Sequence, residues 1–256
     1  VSCIPNRNSK SMKAVILAAG VGRRLHVITQ NHPKCLLRIG GETLLSRYLN
    51  NLEQVGISQV SIVVGYKEEL IREAVAAWPG SLPVDFLVNE RYERGSIESL
   101  WVARHALDDD TVIMDADVLF HPTILERLVT SSHPNVLLMD ETVSQETEEC
   151  MVVVRDGRVI ALSKQMPDTY DEAGEGVGFL RVSRHDVPSV LKSVEQHISQ
   201  ELMDMEYEDA LRGFFVSTPV GVEKIGGLPW IEIDFPEDVE YAENHVLPKL
   251  AEHGRG

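Results

Sequence analysis

The chain has 256 residues, of which 43% are hydrophobic and 25% charged, a composition that excludes a disordered or low-complexity protein and is ample for a hydrophobic core. No apolar run approaches the roughly 18 residues of a membrane helix. Twenty-four basic against forty acidic residues give a net charge of −16, which excludes a general polyanion binder such as a nucleic-acid protein.

The charge is unevenly placed. The first fifty residues carry eight basic side chains and the single acid Glu42, so the rest of the chain is strongly acidic. A small anion therefore finds its attraction near the amino-terminal end. Cys3, Cys35 and Cys150 lie far apart without metal-ligand spacing, and a reduced cytoplasm is the expected setting.

In chain order, residues 1–11 read as a polar leader and patterned sequence begins at Met12. Lys13–Ala19 is a continuous apolar run, expected of a strand buried on both faces. Leu44, Leu45, Leu49 and Leu52 have helical spacing. Val60–Val64 predicts a second buried strand, Lys67–Trp78 a helix, Val84–Val88 a strand, Ile97–Leu107 a helix and Thr111–Met114 a further strand. This alternation with short connections predicts an α/β fold with a doubly wound, mostly parallel sheet. Its ligands belong just beyond the carboxyl ends of the strands.

The second half is mixed. Asn135–Met139, Cys150–Val154, Val159–Leu162 and Val177–Val182 are strand-like, and Asp156-Gly157 marks a hairpin. Helices are expected over Val187–His197, Tyr207–Phe214 and from Pro236 to about Leu250. With no linker or repeat, residues 12–250 read as one domain. Its nucleotide-binding part covers about 12–120 and a smaller α+β acceptor-binding part about 121–250.

One segment carries most of the chemistry. Leu17-Ala18-Ala19-Gly20-Val21-Gly22 follows the first strand, and its small residues let backbone N–H groups approach a phosphate. Arg24 and Lys34 add cations suited to phosphate oxygens. The third glycine of a dinucleotide fingerprint is missing, as is the Gly-Lys-Ser/Thr of a P-loop. Two further carboxylates, Asp115 and Asp117, follow the strand Thr111–Met114, and alternation places both on one face of an extended segment. Asp234 follows Trp230-Ile-Glu-Ile and also suits the N-cap of the helix begun at Pro236.

LAAGVGRRL followed by HPKCLLRIGGETLL resembles the signature of nucleotidyltransferases that make nucleotide-activated sugars and alcohols. The resemblance continues through Val63-Val-Gly-Tyr66, Ile113-Met-Asp-Ala-Asp117 and Glu232-Ile-Asp234. Val27 replaces a usual proline, while Thr29 matches. The likeness implies a Rossmann-like nucleotidyltransferase fold in which Leu17, Ala18, Ala19, Gly20, Val21, Gly22, Tyr66, Ser99 and Asp115 serve the nucleotide. It further implies that Arg24 and Lys34 grip the triphosphate, that Asp117 and Asp234 hold Mg²⁺, and that Lys164 meets the acceptor's phosphate. Arg23 is expected to be solvated, Cys35 a core residue, Trp101 and Trp230 core packing, and Glu206–Asp209 a solvated helix face.

Asn89-Glu-Arg-Tyr92 and Gly95-Ser-Ile-Glu-Ser-Leu-Trp101 resemble the matching stretch of cytidylyltransferases acting on phosphocholine, aminoethylphosphonate or inositol phosphate. The implied reaction transfers CMP from CTP to a small phosphorylated alcohol, polyol or phosphonate and releases pyrophosphate. The alternatives are a hexose- or heptose-1-phosphate nucleotidyltransferase using UTP or GTP, and a catalytically silent nucleotide-binding regulator. Nucleic acid and membrane are not expected partners; a homodimer is left open.

Overall fold

The computed structural model describes residues 11–25, 32–143, 149–202 and 204–253; the leader expected over residues 1–11 is outside it except for Ser11, and so are Cys3, Val27 and Thr29. Its centre is a nine-stranded sheet. β1 (Met12–Leu17), β4 (Gln59–Val64), β5 (Val84–Val88) and β6 (Asp110–Asp115) form its parallel part, in the order β6-β1-β4-β5. β2 (Arg38–Ile39) and β3 (Glu42–Thr43) make a separate two-stranded hairpin.

The inner parallel strands are largely apolar on both faces, and alternation sorts their side chains into two cores. Ala14, Ile16, Ile62, Val112 and Met114 enter one, and Val15, Val63 and Ile113 the other. This explains why β1, β4 and β6 appear in the sequence as largely apolar runs, whereas the edge strand β5 carries Asp85, bonded to Ser61 of β4. α1 (Leu44–Gln54), α2 (Glu68–Ala76) and α3 (Ser96–Val102) make the crossovers. Thr43 caps α1, its hydroxyl accepting from the Ser46 amide at 3.1 Å.

Register decides where the site lies. Leu17 pairs with both Val63 and Asp115, and Val64 pairs with Val88. The strands therefore end level, and the segments starting at Ala18, Gly65, Asn89 and Ala116 leave from one edge.

The remaining strands continue the sheet. β11 (Glu172–Val182) runs antiparallel to β6, to β8 (Val136–Asp140) and to β9 (Met151–Arg155), so the sheet is mixed rather than wholly parallel. β9 and β10 (Arg158–Ser163) form the expected hairpin, with Asp156 and Gly157 both at positive φ. β12 (Gly221–Lys224) adds parallel to β8. β7 (Val118–Phe120) pairs with β13 (Trp230–Glu232) in a small separate sheet. α4 (Pro122–Thr130) and α5 (Val187–Ile198) complete the layers.

Three expected helices are interrupted. Ile97–Leu107 gives α3, which ends at Val102, and a 3-10 turn over Ala103–His105. Tyr207–Phe214 resolves into α6 (Tyr207–Ala210) and α7 (Arg212–Ser217). The carboxyl-terminal helix is α8 (Pro236–Tyr241), a π-helical turn over Ala242–Val246, and α9 (Leu247–His253). Pro248 lacks an amide hydrogen and its ring crowds the preceding turn, which favours the wider π-helical turn immediately before it.

A third apolar cluster underpins the site. Leu25, Leu37, Ile39, Leu44, Leu119, Ile233, Ala242 and Val246 are all buried together. They sit next in sequence to Arg24, β7 and Asp234, so burial of this cluster fixes the backbone on which the charged residues stand.

Candidate active site

The glycine loop leaves β1 and is tied back at once. The Ala18 amide donates to the Val63 carbonyl at 2.9 Å, and the Tyr66 amide donates to the Ala19 carbonyl at 3.0 Å. Tyr66 thus anchors the loop through its backbone, while its ring lies 6.3 Å from that of Tyr92. A Cβ on Gly20 would meet nothing within 4 Å, so this part of the loop faces open space. Gly22 has φ +61°, a left-handed conformation that glycine adopts without penalty, and it lies alongside the Lys34 stem.

Lys34 reaches two carboxylates from distant segments. Its Nζ donates to Asp117 Oδ2 at 2.7 Å and to Asp234 Oδ1 at 2.5 Å. Burial alone would lower the pKa of this ammonium, but the charges of Asp117 and Asp234 outweigh it and raise the pKa above the ordinary lysine range. Arg24 approaches Asp234 Oδ2 at 3.4 Å and lies 5.1 Å above the Phe235 ring. Arg23 is exposed, as expected of a solvated cation.

Asp234 is not the N-cap of the final helix. The Asp238 carboxylate takes the capping role instead, accepting from the Asp234 amide at 2.8 Å and the Phe235 amide at 2.6 Å. The Asp234 carboxyl is thereby left to Lys34 and Arg24.

Glu232 joins these groups. One carboxylate oxygen from each of Asp117, Glu232 and Asp234 falls within 4.8 Å of the others. Alternation along Glu232-Ile233-Asp234 was the signal for this third acid, because Ile233 is fully buried between them. Glu232 is exposed on its solvent side and crowded on the other. That crowding first, then the charges of Asp117 and Asp234, pushes its carboxyl up to about 8. Asp117 Oδ1 is buried and receives no hydrogen bond. An orphaned carboxylate oxygen within an all-oxygen donor set suits a hard divalent cation such as Mg²⁺.

Asp115 behaves differently from Asp117. β6 ends at Asp115, and a bend at Ala116–Asp117 breaks the extended alternation that was expected to put both acids on one face. Asp115 accepts from the Tyr207 hydroxyl at 3.1 Å. Burial, then the charges of Glu208, Asp117 and Glu232, raise its carboxyl well above the usual range. β11 passes close by at Gly178, where a Cβ would lie 2.6 Å from Asp115 Oδ2.

Glu206–Asp209 is likewise more than a solvated face. Tyr207 is buried against Asp115, Ser96 donates to Glu206 Oε2 at 2.5 Å, and Glu208 Oε2 is buried without a partner. Burial is the first cause pushing the Glu208 carboxyl up to about 7. Lys164, exposed just past β10, is close enough to oppose that rise in Glu208 and a rise in Cys150.

Ser99 faces inward. It is buried, and its hydroxyl accepts from Asn89 Nδ2 at 3.1 Å, tying the end of β5 to α3. Cys35 is a core residue whose thiol is pushed up to about 12 by burial first and Asp117 second. Trp230 donates to Asp140 Oδ2 at 2.8 Å, and Arg104 lies 4.8 Å over the Trp101 ring, so both indoles serve packing.

Lysine, arginine and carboxylates gathered beyond the carboxyl edge of a Rossmann-like sheet form a place for phosphate chemistry, and the class this defines is the nucleotidyltransferases. More particularly, the chain belongs to the MobA-like NTP transferase domain family, whose model matches residues 14–166. CMP-5'-(3-aminopropyl)phosphonate synthase of Streptomyces rubellomurinus is 26% identical over 93% of this chain and 39% of its own length. The bifunctional IPC transferase and DIPP synthase of Aquifex aeolicus is 28% identical over 95% of this chain and 53% of its own length. The chain thus spans only about two fifths to one half of these two relatives. Among solved structures, the inositol-1-phosphate CTP transferase of T. maritima aligns with a TM-score of 0.76 and 21% identity, covering 97% of this chain and 98% of that one. CTP:phosphocholine cytidylyltransferase from Streptococcus pneumoniae aligns with a TM-score of 0.72 and 22% identity, covering 91% and 98%. At these identities the structural likeness speaks to the fold.

Proposed function

We propose that the chain transfers CMP from CTP to a small phosphorylated alcohol, polyol or phosphonate and releases pyrophosphate. The observation that carries this reading is the meeting of Lys34 with Asp117 and Asp234 beside an open glycine loop. The CTP and acceptor classes draw on the relatives and on the Asn89–Trp101 stretch.

A phosphate monoester acceptor carries its own nucleophile, since its second pKa is about 6. Its oxygen forms a bond to the α-phosphorus of the triphosphate. The bond from that phosphorus to the α–β bridging oxygen breaks, and its electron pair leaves with pyrophosphate. No protein base is needed. The work of the site is to bring two polyanions together and neutralise the charge that develops. The open backbone at Gly20 admits the phosphates, while Lys34 and Arg24 neutralise the departing pyrophosphate. Lys164, near Glu208 and Cys150, orients the acceptor. Asp117, Glu232 and Asp234 would hold Mg²⁺, which supplies charge neutralisation at the phosphates.

In this reading Tyr66 and Asp115 support the nucleotide side indirectly, through the loop and the Asp117 bend, and Ser99 does so through Asn89. The same chemistry suits a cytoplasmic enzyme; among the described residues no helix is long and apolar enough to cross a membrane. A homodimer remains compatible with the reading.

The test is pyrophosphate release with each of the four common ribonucleoside triphosphates, Mg²⁺ and a panel of acceptors. The panel includes phosphocholine, phosphoethanolamine, aminoalkylphosphonates, inositol phosphate and sugar 1-phosphates. Release with CTP and a non-sugar acceptor is expected. Release only with UTP or GTP and a sugar 1-phosphate would replace the reading with the sugar-nucleotide alternative, and none with any pair would leave a non-catalytic nucleotide binder.

A further inference from the structure

The Lys34 ammonium lies where the three carboxylates converge. It bonds Asp117 and Asp234 directly, at 2.7 and 2.5 Å. Those are two of the three acids whose oxygens cluster within 4.8 Å. A divalent cation bound by Asp117 and Asp234 competes with Lys34 for the same two carboxyl groups. An ammonium and a metal ion held together there would repel each other, like charges at close range.

We propose that Lys34 is an internal cation that holds Asp117 and Asp234 together until the nucleotide arrives, so that the divalent metal binds strongly only when the triphosphate draws Lys34 away. The inference rests on the metal cluster assigned above, though not on the transfer reaction or on the acceptor. Three observations support it. Lys34 satisfies both carboxylates yet leaves Asp117 Oδ1 orphaned, so the cluster has a donor atom that the lysine does not use. The Lys34 stem runs beside Gly22, which has no side chain of its own and where an added Cβ would lie 3.5 Å from it, so the stem is unobstructed from that one position. The loop beyond it is open at Gly20, which provides negative phosphates with a place to meet the ammonium. The exchange conserves charge sense: the lysine leaves two carboxylates for phosphate oxygens, and the metal takes the carboxylates.

The experiment is Mn²⁺ binding followed by the electron paramagnetic resonance of free Mn²⁺, a readout independent of turnover. The proteins are wild type, Lys34→Met, Lys34→Gln and the double variant Lys34→Met with Asp117→Asn, each checked for a cooperative thermal transition. Without nucleotide, both single variants are expected to bind Mn²⁺ at least tenfold more tightly than wild type, and the double variant to lose that gain. With a non-hydrolysable CTP analogue, the difference between wild type and Lys34→Met should shrink below threefold.

Equal Mn²⁺ affinity in wild type and both single variants overturns the proposal. So does tighter binding that survives Asp117→Asn, because the added metal is then elsewhere. Failure of all the proteins to bind Mn²⁺ also overturns it. Pyrophosphate release in the acceptor panel separates these results from failure of the transfer reaction.

Discussion

Lys34 and Asp234 are 200 residues apart in sequence, and their Nζ and Oδ1 atoms lie 2.5 Å apart in the fold. The same ammonium holds Asp117 at 2.7 Å. Lys34→Ala therefore removes one preorganised phosphate donor and leaves two carboxylates facing each other uncompensated. A fall in kcat/KM on the order of 10²-fold or more is expected from pyrophosphate-release kinetics. Near-normal turnover would take Lys34 out of the mechanism.

The three-carboxylate cluster makes a graded prediction. Glu232→Gln should raise the Mg²⁺ concentration needed for half-maximal activity by several-fold, and Asp117→Asn should do so much more, because Asp117 contributes the orphaned oxygen. Chelation by EDTA should abolish activity, and added Mg²⁺ should restore it. A Mg²⁺ requirement unchanged in both variants would mean that these acids do not hold the metal.

The glycine loop separates fold from function. Gly20→Ala meets no neighbour and has an ordinary backbone conformation, so its thermal midpoint should stay near that of wild type while KM for the nucleotide rises. Gly22→Ala must instead adopt φ +61° and should cost about 1 kcal/mol of stability in chemical denaturation. Equal loss of stability in the two variants would contradict the described loop geometry.

Asp238 keeps Asp234 available. Asp238→Ala removes the acceptor for the Asp234 and Phe235 amides and should cost about 1 kcal/mol in urea unfolding. Activity should fall as well, since Asp234 then has two competing duties. Asp238→Asn keeps an acceptor oxygen and should recover most of the stability. Failure of this rescue would argue for a role of Asp238 other than capping.

Glu175 introduces a pH dependence to stability. Burial first, then Glu149 and Asp140, push its carboxyl from 4.5 to about 7. The folded state therefore holds that proton more tightly than the unfolded chain. Between about pH 4.5 and 7 the unfolded chain releases the proton more readily, and this single group lowers folding stability as pH rises. Glu175→Gln should melt like wild type near pH 4 and above it at pH 8. A midpoint difference that does not change with pH would show that Glu175 is not the source.

Much of the fold was legible in residue pattern. Lys13–Ala19, Val60–Val64, Val84–Val88 and Thr111–Met114 correspond to four strands of the parallel sheet, with ends shifted by at most two residues. The carboxyl-terminal helix was harder to read, because its hydrophobic spacing persists through the π-helical turn before Pro248. In the candidate site, Arg24, Lys34, Asp117 and Asp234 stood out by type and motif, and the fold brings these four together. Glu232 joins the acidic cluster of Asp117 and Asp234, and its alternation with Asp234 is the only trace of this in the sequence. Asp238 gave no such warning, because whether it or Asp234 caps the helix depends on how the chain enters α8.

Strand alternation, the glycine loop and the inventory of charges are set by residue order alone, because they follow from side-chain size, periodicity and local backbone freedom. Which charges meet depends on packing in three dimensions. Level strand ends set by register, and the buried cluster of Leu25, Leu119 and Ile233, bring three remote segments to one point. Coulomb attraction acts over ångströms in space and is indifferent to separation along the chain, so the pairing of Lys34 with Asp117 and Asp234 exists only once packing has closed those distances.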